Sequence, residues 1–90
     1  MKARVFVTLK PSVFDPQGRT IADALHSLGY SGIGDVRQGK YFEVEVDAAS
    51  PDVARTIVTD IANKVLANPV IEAHRIEIVV AEGKVVSSAD

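Results

Sequence analysis

The sequence contains no cysteine, which excludes thiol catalysis, disulfide staples and cysteine-ligated zinc. It has no apolar run approaching the roughly 18 residues of a membrane span. Its start, Met1 to Lys10, has neither the apolar segment nor the cleavage site of a signal peptide, so a cytoplasmic protein without a membrane partner is expected. There is no excess of one charge: ten Lys and Arg oppose twelve Asp and Glu, scattered along the chain, for a net charge of -2. That balance argues against nucleic acid or an anionic membrane held by bulk electrostatics. Low-complexity stretches and linkers are also missing. Ninety residues, 47% of them hydrophobic, are enough for one small domain. Such a domain hides only about two-thirds of the surface its unfolded chain exposes, and with nothing to staple it, self-association becomes a source of stability.

Lys2 to Lys10 alternates, with Val5, Val7 and Leu9 on one face and Arg4, Phe6, Thr8 and Lys10 on the other, the pattern of a half-buried strand. Asp15 followed by Pro16 opens a helix, the carboxylate accepting from first-turn amides and proline fitting the first helical position. This helix is predicted over Pro16 to Leu28, with Ile21, Ala24, Leu25 and Leu28 as its apolar stripe and Gly29 as its stop. Tyr30 to Gly34 reads as a connection, Asp35 to Gln38 as a short second strand, Gly39 as a turn and Lys40 to Ala48 as a third strand. Ser50 and Pro51 repeat the cap-and-proline signal for a second helix to Ala67. Its apolar arc is wider than one small sheet requires, which leaves Ala62 and Leu66 to meet another subunit or the domain's own loops. Asn68 and Pro69 end it, and Val70 to Val80 supplies a fourth strand. The order βαββαβ predicts an α+β, two-layer ferredoxin-like sandwich: a four-stranded, mostly antiparallel sheet with two helices on one face and the other face open. Residues 1–80 form the domain. Residues 81–90 form an extension that turns at Gly83, pairs weakly through Val85 and Val86, and frays from Ser87.

Little in the chain converges on catalysis. His26 and His74 have no partner at metal-ligand spacing and read as surface or interface residues. Ser12 and Ser50 lack the glycine-flanked elbow that exposes a nucleophile. Glu43, Glu45 and Asp47 line one strand face, read as solvated or paired across the sheet with Arg4 or Arg75 rather than as a cation site. Gly32, Gly34, Arg37, Gly39 and Lys40 make a glycine-and-base stretch in which no helix follows to hold a phosphate, so it reads as a turn. Phe6 and Tyr41 fall on the open face, where RNA-binding sheets place stacking aromatics. The carboxylates sharing that face would repel phosphates, and an oligomer contact through Phe6, Tyr41 and Val79 is the expected use.

Four spaced motifs carry a family resemblance: Leu9-Lys10-Pro11-Ser12-Val13-Phe14-Asp15-Pro16-Gln17-Gly18; Ala24, Leu25, Leu28, Gly29 and Tyr30; Val36-Arg37-Gln38-Gly39-Lys40; and Leu66-Ala67-Asn68-Pro69-Val70-Ile71-Glu72. Together, and in this order, they resemble the small PurS-type subunit of phosphoribosylformylglycinamidine synthase over nearly the whole chain to about Val80. Phe14 and Val65 depart from the family's commoner aliphatic and leucine residues. The resemblance implies a place in purine biosynthesis. A large subunit performs the ATP-dependent chemistry, a glutaminase subunit releases ammonia, and the small subunit bridges them and forms dimers or tetramers. ATP, Mg and glutamine are then used by the complex, with no cofactor, metal or catalytic residue on this chain. Lys10, Pro11, Asp15, Pro16, Gln17, Arg37, Gly39, Lys40, Asn68 and Glu72 are the implied docking or loop-shaping residues. The alternative is a ferredoxin-like regulatory module binding a small metabolite at an oligomer interface through Gly32 to Gly34. A free-standing enzyme ranks third.

Overall fold

The computed structural model describes residues 1–80 and 85–88. The elements are β1 (Lys2–Leu9), α1 (Pro16–Ser27), β2 (Gly39–Glu45), α2 (Pro51–Ile61), β3 (Glu72–Val79) and β4 (Val85–Ser88), with a closing π-turn, Ala62–Leu66, at the end of α2. The strands form one antiparallel sheet in the order β2-β1-β3-β4. Within it Val5 lies between Phe42 and Ile76, and Phe6 lies between Tyr41 and Arg75. The turn expected at Gly83 lies outside the described residues. Among the described residues, no helix is long and apolar enough to cross a membrane.

The alternation of β1 does what its period requires. Ala3, Val5 and Val7 are fully buried with Ile76 and Ile78 of β3 under Ala54 and Val58 of α2, while Arg4 and Phe6 face the other way. α2 packs on β3 and β1. Ser50 caps it by accepting from the Val53 amide at 3.2 Å, with Pro51 at its first position.

The α+β class holds, but the expected ferredoxin-like arrangement does not form in full. Asp35 to Gln38 is not a strand, because its polar groups are engaged elsewhere. The Gln38 amide donates to Asp15, the Arg37 guanidinium donates to two carbonyls of the Lys10–Val13 turn, and the Val36 carbonyl lies against Gly18. Gly39 begins β2 instead of making a turn. Nor do both helices share a sheet face. The core cluster contains no residue of α1, which buries only Gly18 and Ala22 and packs substantially against no strand. Instead α1 and its return loop form an arm, closed by the Leu28 and Tyr30 amides donating to carbonyls of Ala24 and Leu25 and by His26 Nε2 lying 2.6 Å from the Ile33 carbonyl. Gly29, at φ 97°, makes the left-handed turn. The excess apolar arc of α2 also falls elsewhere than expected: Ala62 is in the core with Leu66 against it, and Val53, Ile57 and Val65 are the exposed residues.

Candidate functional site

The end of β1, the start of α1 and the starts of β2 and β3 meet at one corner. There Val7, Leu9, Asp15, Gln17, Gln38, Gly39, Lys40 and Glu72 line a cleft of about 260 Å³. Asp15 organises it. One carboxylate oxygen accepts from the Gly18 amide and the other from the Gln38 amide, each at 2.8 Å, so a helix cap also anchors a segment 23 residues later. Those bonds, chiefly the one from Gly18 and then that from Gln38, outweigh burial and hold the Asp15 carboxyl below its ordinary value of 3.8. The anchored segment then reaches back, Gln38 Nε2 donating to Gln17 Oε1 at 2.7 Å. The close approach depends on Gly18, since a Cβ there would lie 2.0 Å from the Val36 carbonyl oxygen. Gly39 is similarly confined, a Cβ meeting the Val7 carbonyl oxygen at 2.5 Å.

The other wall is pinned by Lys40 and Glu72. Lys40 Nζ lies 3.4 Å from Glu72 Oε2 and 3.4 Å from the Leu66 carbonyl, which tethers the C-terminal end of the α2 helix to β2 and β3. The second Glu72 oxygen accepts from the Asn68 amide at 2.7 Å, and Asn68 Oδ1 accepts from the Val70 amide. Arg37 Nη2 donates to the Lys10 and Val13 carbonyls at 3.0 and 2.8 Å, and the Lys10 amide donates to the Ile71 carbonyl at 2.8 Å. Beside this, Pro11, Asp35, Arg37, Thr8, Leu9 and Ala73 border a second cleft of about 450 Å³. Pro16 and Gln17 flank a third with Ile21.

The ten residues singled out from the sequence, Lys10, Pro11, Asp15, Pro16, Gln17, Arg37, Gly39, Lys40, Asn68 and Glu72, are therefore placed around one corner although they span 63 positions of chain. Gln38 is the member that sequence reasoning passed over; its assignment to a strand hid the amide that Asp15 captures. Among the described residues, Gly32 and Gly34 have nothing within 4 Å of where a side chain would begin, so no close approach requires glycine at either position.

Phe6 and Tyr41 lie apart from the corner, on the sheet face opposite α2, with ring centroids 5.1 Å apart. The Arg75 guanidinium lies 4.1 Å from the Phe6 ring centroid and pairs with Glu77, which also faces Arg4. Tyr41 Oη donates to Glu43 at 2.8 Å. Partial loss of water and then that bond raise the Tyr41 phenol above 10.0, while the same bond, followed by Lys2, lowers Glu43 below 4.5. The aromatic pair thus sits among its own cations and carboxylates, with Tyr41 still exposed. Val79 is opposite Lys2 in register, about 13 Å along β1 from Phe6, so it does not join the aromatic pair.

Residues 2–80 match the family model described as PurS, phosphoribosylformylglycinamidine (FGAM) synthase. The chain is 45% identical over 77 residues to the phosphoribosylformylglycinamidine synthase subunit PurS of Bacillus subtilis, covering 86% of this chain and 90% of that one. It is 49% identical over 71 residues to the Mycobacterium leprae subunit, covering 79% and 86%. Among solved structures, B. subtilis PurS superposes with a TM-score of 0.75 at 45% identity, covering 84% of this chain and 94% of that one. Methanocaldococcus jannaschii PurS, described as one of the subunits of formylglycinamide ribonucleotide amidotransferase in the purine biosynthetic pathway, superposes with a TM-score of 0.76 at 32% identity, covering 98% of each chain. On this agreement of sequence and fold, the chain belongs to the PurS family and is a subunit of the phosphoribosylformylglycinamidine synthase of purine biosynthesis.

Proposed function

We propose that this chain is the non-catalytic interaction subunit of the synthase and bridges its large synthetase and its glutaminase subunits in the cytoplasm. The complex converts formylglycinamide ribonucleotide, ATP and glutamine to formylglycinamidine ribonucleotide, with ATP, Mg and glutamine bound by the partners. The observation that carries this reading is the corner. Four separate chain segments are tied together there by bonds that use Asp15, Arg37, Lys40 and Glu72 as fasteners, the way a docking surface is kept rigid. Gln17 and Lys40 stay exposed at its rim. Self-association to a dimer or tetramer belongs to the same reading, supported by the sheet face opposite α2, which carries half-buried Phe6 and Val79 and exposed Tyr41 and on which no helix of the described residues packs.

The test is a three-component assay with Lys10→Ala and Gln17→Ala. Neither side chain lies in the core, and the bond that Gln17 makes to Gln38 is exposed to water, so stability should change by no more than about 0.5 kcal/mol. Synthase activity should nonetheless fall for each. Full activity from both, with normal assembly on a sizing column, would move the partner surface away from this corner.

A further inference from the structure

Deepening the bridging reading, on which it rests, we infer that the corner docks into an apolar pocket with an acidic rim on a partner subunit, using Phe14 and Val70 as anchors and Lys10, Arg37 and Lys40 as the matching cations. The chain carries a net charge of -2, yet at the corner its charges are sorted by depth. The carboxylates are drawn in: Asp15 is 5% exposed and bound by two amides, and the Glu72 side chain is 15% exposed against Lys40. The cations stay outside. Lys40 and Arg37 are exposed, and among the described residues Arg37 bonds only to neutral carbonyls and Lys10 makes no ion pair. Of the residues lining the two clefts here, only Asp35 offers an exposed carboxylate. A cationic rim on an acidic protein steers and orients a partner of the opposite sign.

Two turns carry apolar tips at this rim. Phe14 follows the Lys10–Val13 turn and is 70% exposed, and Val70, in the turn before β3, is 76% exposed with Ile71 beside it. Neither turn is loose. The Val13 amide and Arg37 close the first on the Lys10 carbonyl, while Asn68 Oδ1 and Glu72 order the second through the Val70 and Asn68 amides. The Lys10 amide, donating to the Ile71 carbonyl, joins the two. Large apolar side chains on a frame that is already ordered lose little conformational freedom on docking, which suits them as anchors. Cations alone would fit any polyanion. Apolar tips set among them need a pocket of matching chemistry, which a protein surface offers and a phosphate backbone does not. A second copy presenting the same corner would bring cation against cation, so the occupant is a different chain.

The experiment titrates the full-length chain into the purified synthetase and glutaminase subunits and reads the concentration that gives half the maximal glutamine-driven rate, at about 0.05 and about 0.5 M salt. Wild type, Lys10→Glu and Phe14→Ser are compared, with Val70→Ser as a second apolar variant, and the mass and circular dichroism of each are recorded alone. All three residues lie outside the core, so native dichroism is expected. Lys10→Glu should raise the half-saturating concentration about tenfold at low salt and far less at high salt. Phe14→Ser and Val70→Ser should raise it about tenfold at both, and the maximal rate should hold throughout. Wild-type half-saturation for all three variants overturns the inference, as does a Lys10→Glu loss that salt leaves unchanged. A variant whose own mass changes would place the corner between copies and overturn it too. If the wild-type chain itself does not raise the glutamine-driven rate, the bridging reading fails with it.

Discussion

Replacing Gly18 by alanine separates two opposed forces whose sizes can be compared. Gly18 is the third residue of α1, and in an unobstructed helix alanine there would stabilise by about 0.8–1.0 kcal/mol. Here the added methyl would stand 2.0 Å from the Val36 carbonyl oxygen and 2.9 Å from Asp15 Oδ2. Ordinary contact begins at 3.4 Å, so α1 and the Val36 peptide must part by about 1.4 Å. The obstacle is backbone, so no rotamer change relieves it, and the movement pulls on both amide bonds to Asp15. Overpacking of this kind costs about 1–3 kcal/mol and here falls at the upper end, so it outweighs the propensity gain. The expected net loss is about 1–2 kcal/mol, read as a lower urea midpoint with an unchanged slope, or as a fall in Tm of roughly 5–15 °C. Wild type and variant must be compared at equal protein concentration, since self-association would add to apparent stability. A Gly18→Ala protein as stable as the wild type, or more so, would show that α1 and the Val36 peptide do not approach as described.

Asp15 gives the acid side of the stability profile. Its carboxyl is lowered in the folded chain, so its contribution is present above the ordinary value of 3.8 and is lost as pH falls through the folded value. Asp15→Asn should therefore be less stable than the wild type at neutral pH, with the gap closing below about pH 4 in urea titrations; a gap independent of pH would contradict the assignment. Phe6→Glu places a carboxylate beside Tyr41 and Glu43 on the open face and leaves Val5 and Val7 in the core. It should weaken association in a concentration series more than it lowers the unfolding midpoint, and outright unfolding would mean that Phe6 supports the fold.

What could be read from the chain beforehand follows the range of the forces involved. The β1 alternation, the Asp15-Pro16 and Ser50-Pro51 helix starts and the Gly29 stop are local, and each stands where its residues indicate. Asp35 to Gln38 reads as strand-like because nothing within it shows that the Gln38 amide is claimed by Asp15 and that the Val36 carbonyl packs against Gly18, some twenty residues earlier. The α1 stripe announced a helix that needs an apolar partner but carried no information on which surface supplies it. The π-turn closing α2 left no visible trace in the sequence. Its Ala67 amide reaches the Ala62 carbonyl, and the Leu66 carbonyl accepts from Lys40, a residue of another element. The corner was legible as residues and motif order, while its geometry depends on contacts between segments far apart in sequence.

The bridging role is tested most directly by comparing nitrogen sources in the reconstituted synthase. Purified synthetase and glutaminase subunits are assayed for formylglycinamidine ribonucleotide with glutamine or with ammonium, in the presence and absence of this chain. A subunit that joins the two partners without taking part in the chemistry should be required for the glutamine-driven rate and leave the ammonium-driven rate nearly unchanged. A glutamine-driven rate that is the same without the chain, or an ammonium-driven rate that falls as steeply as the glutamine-driven one, would contradict the account.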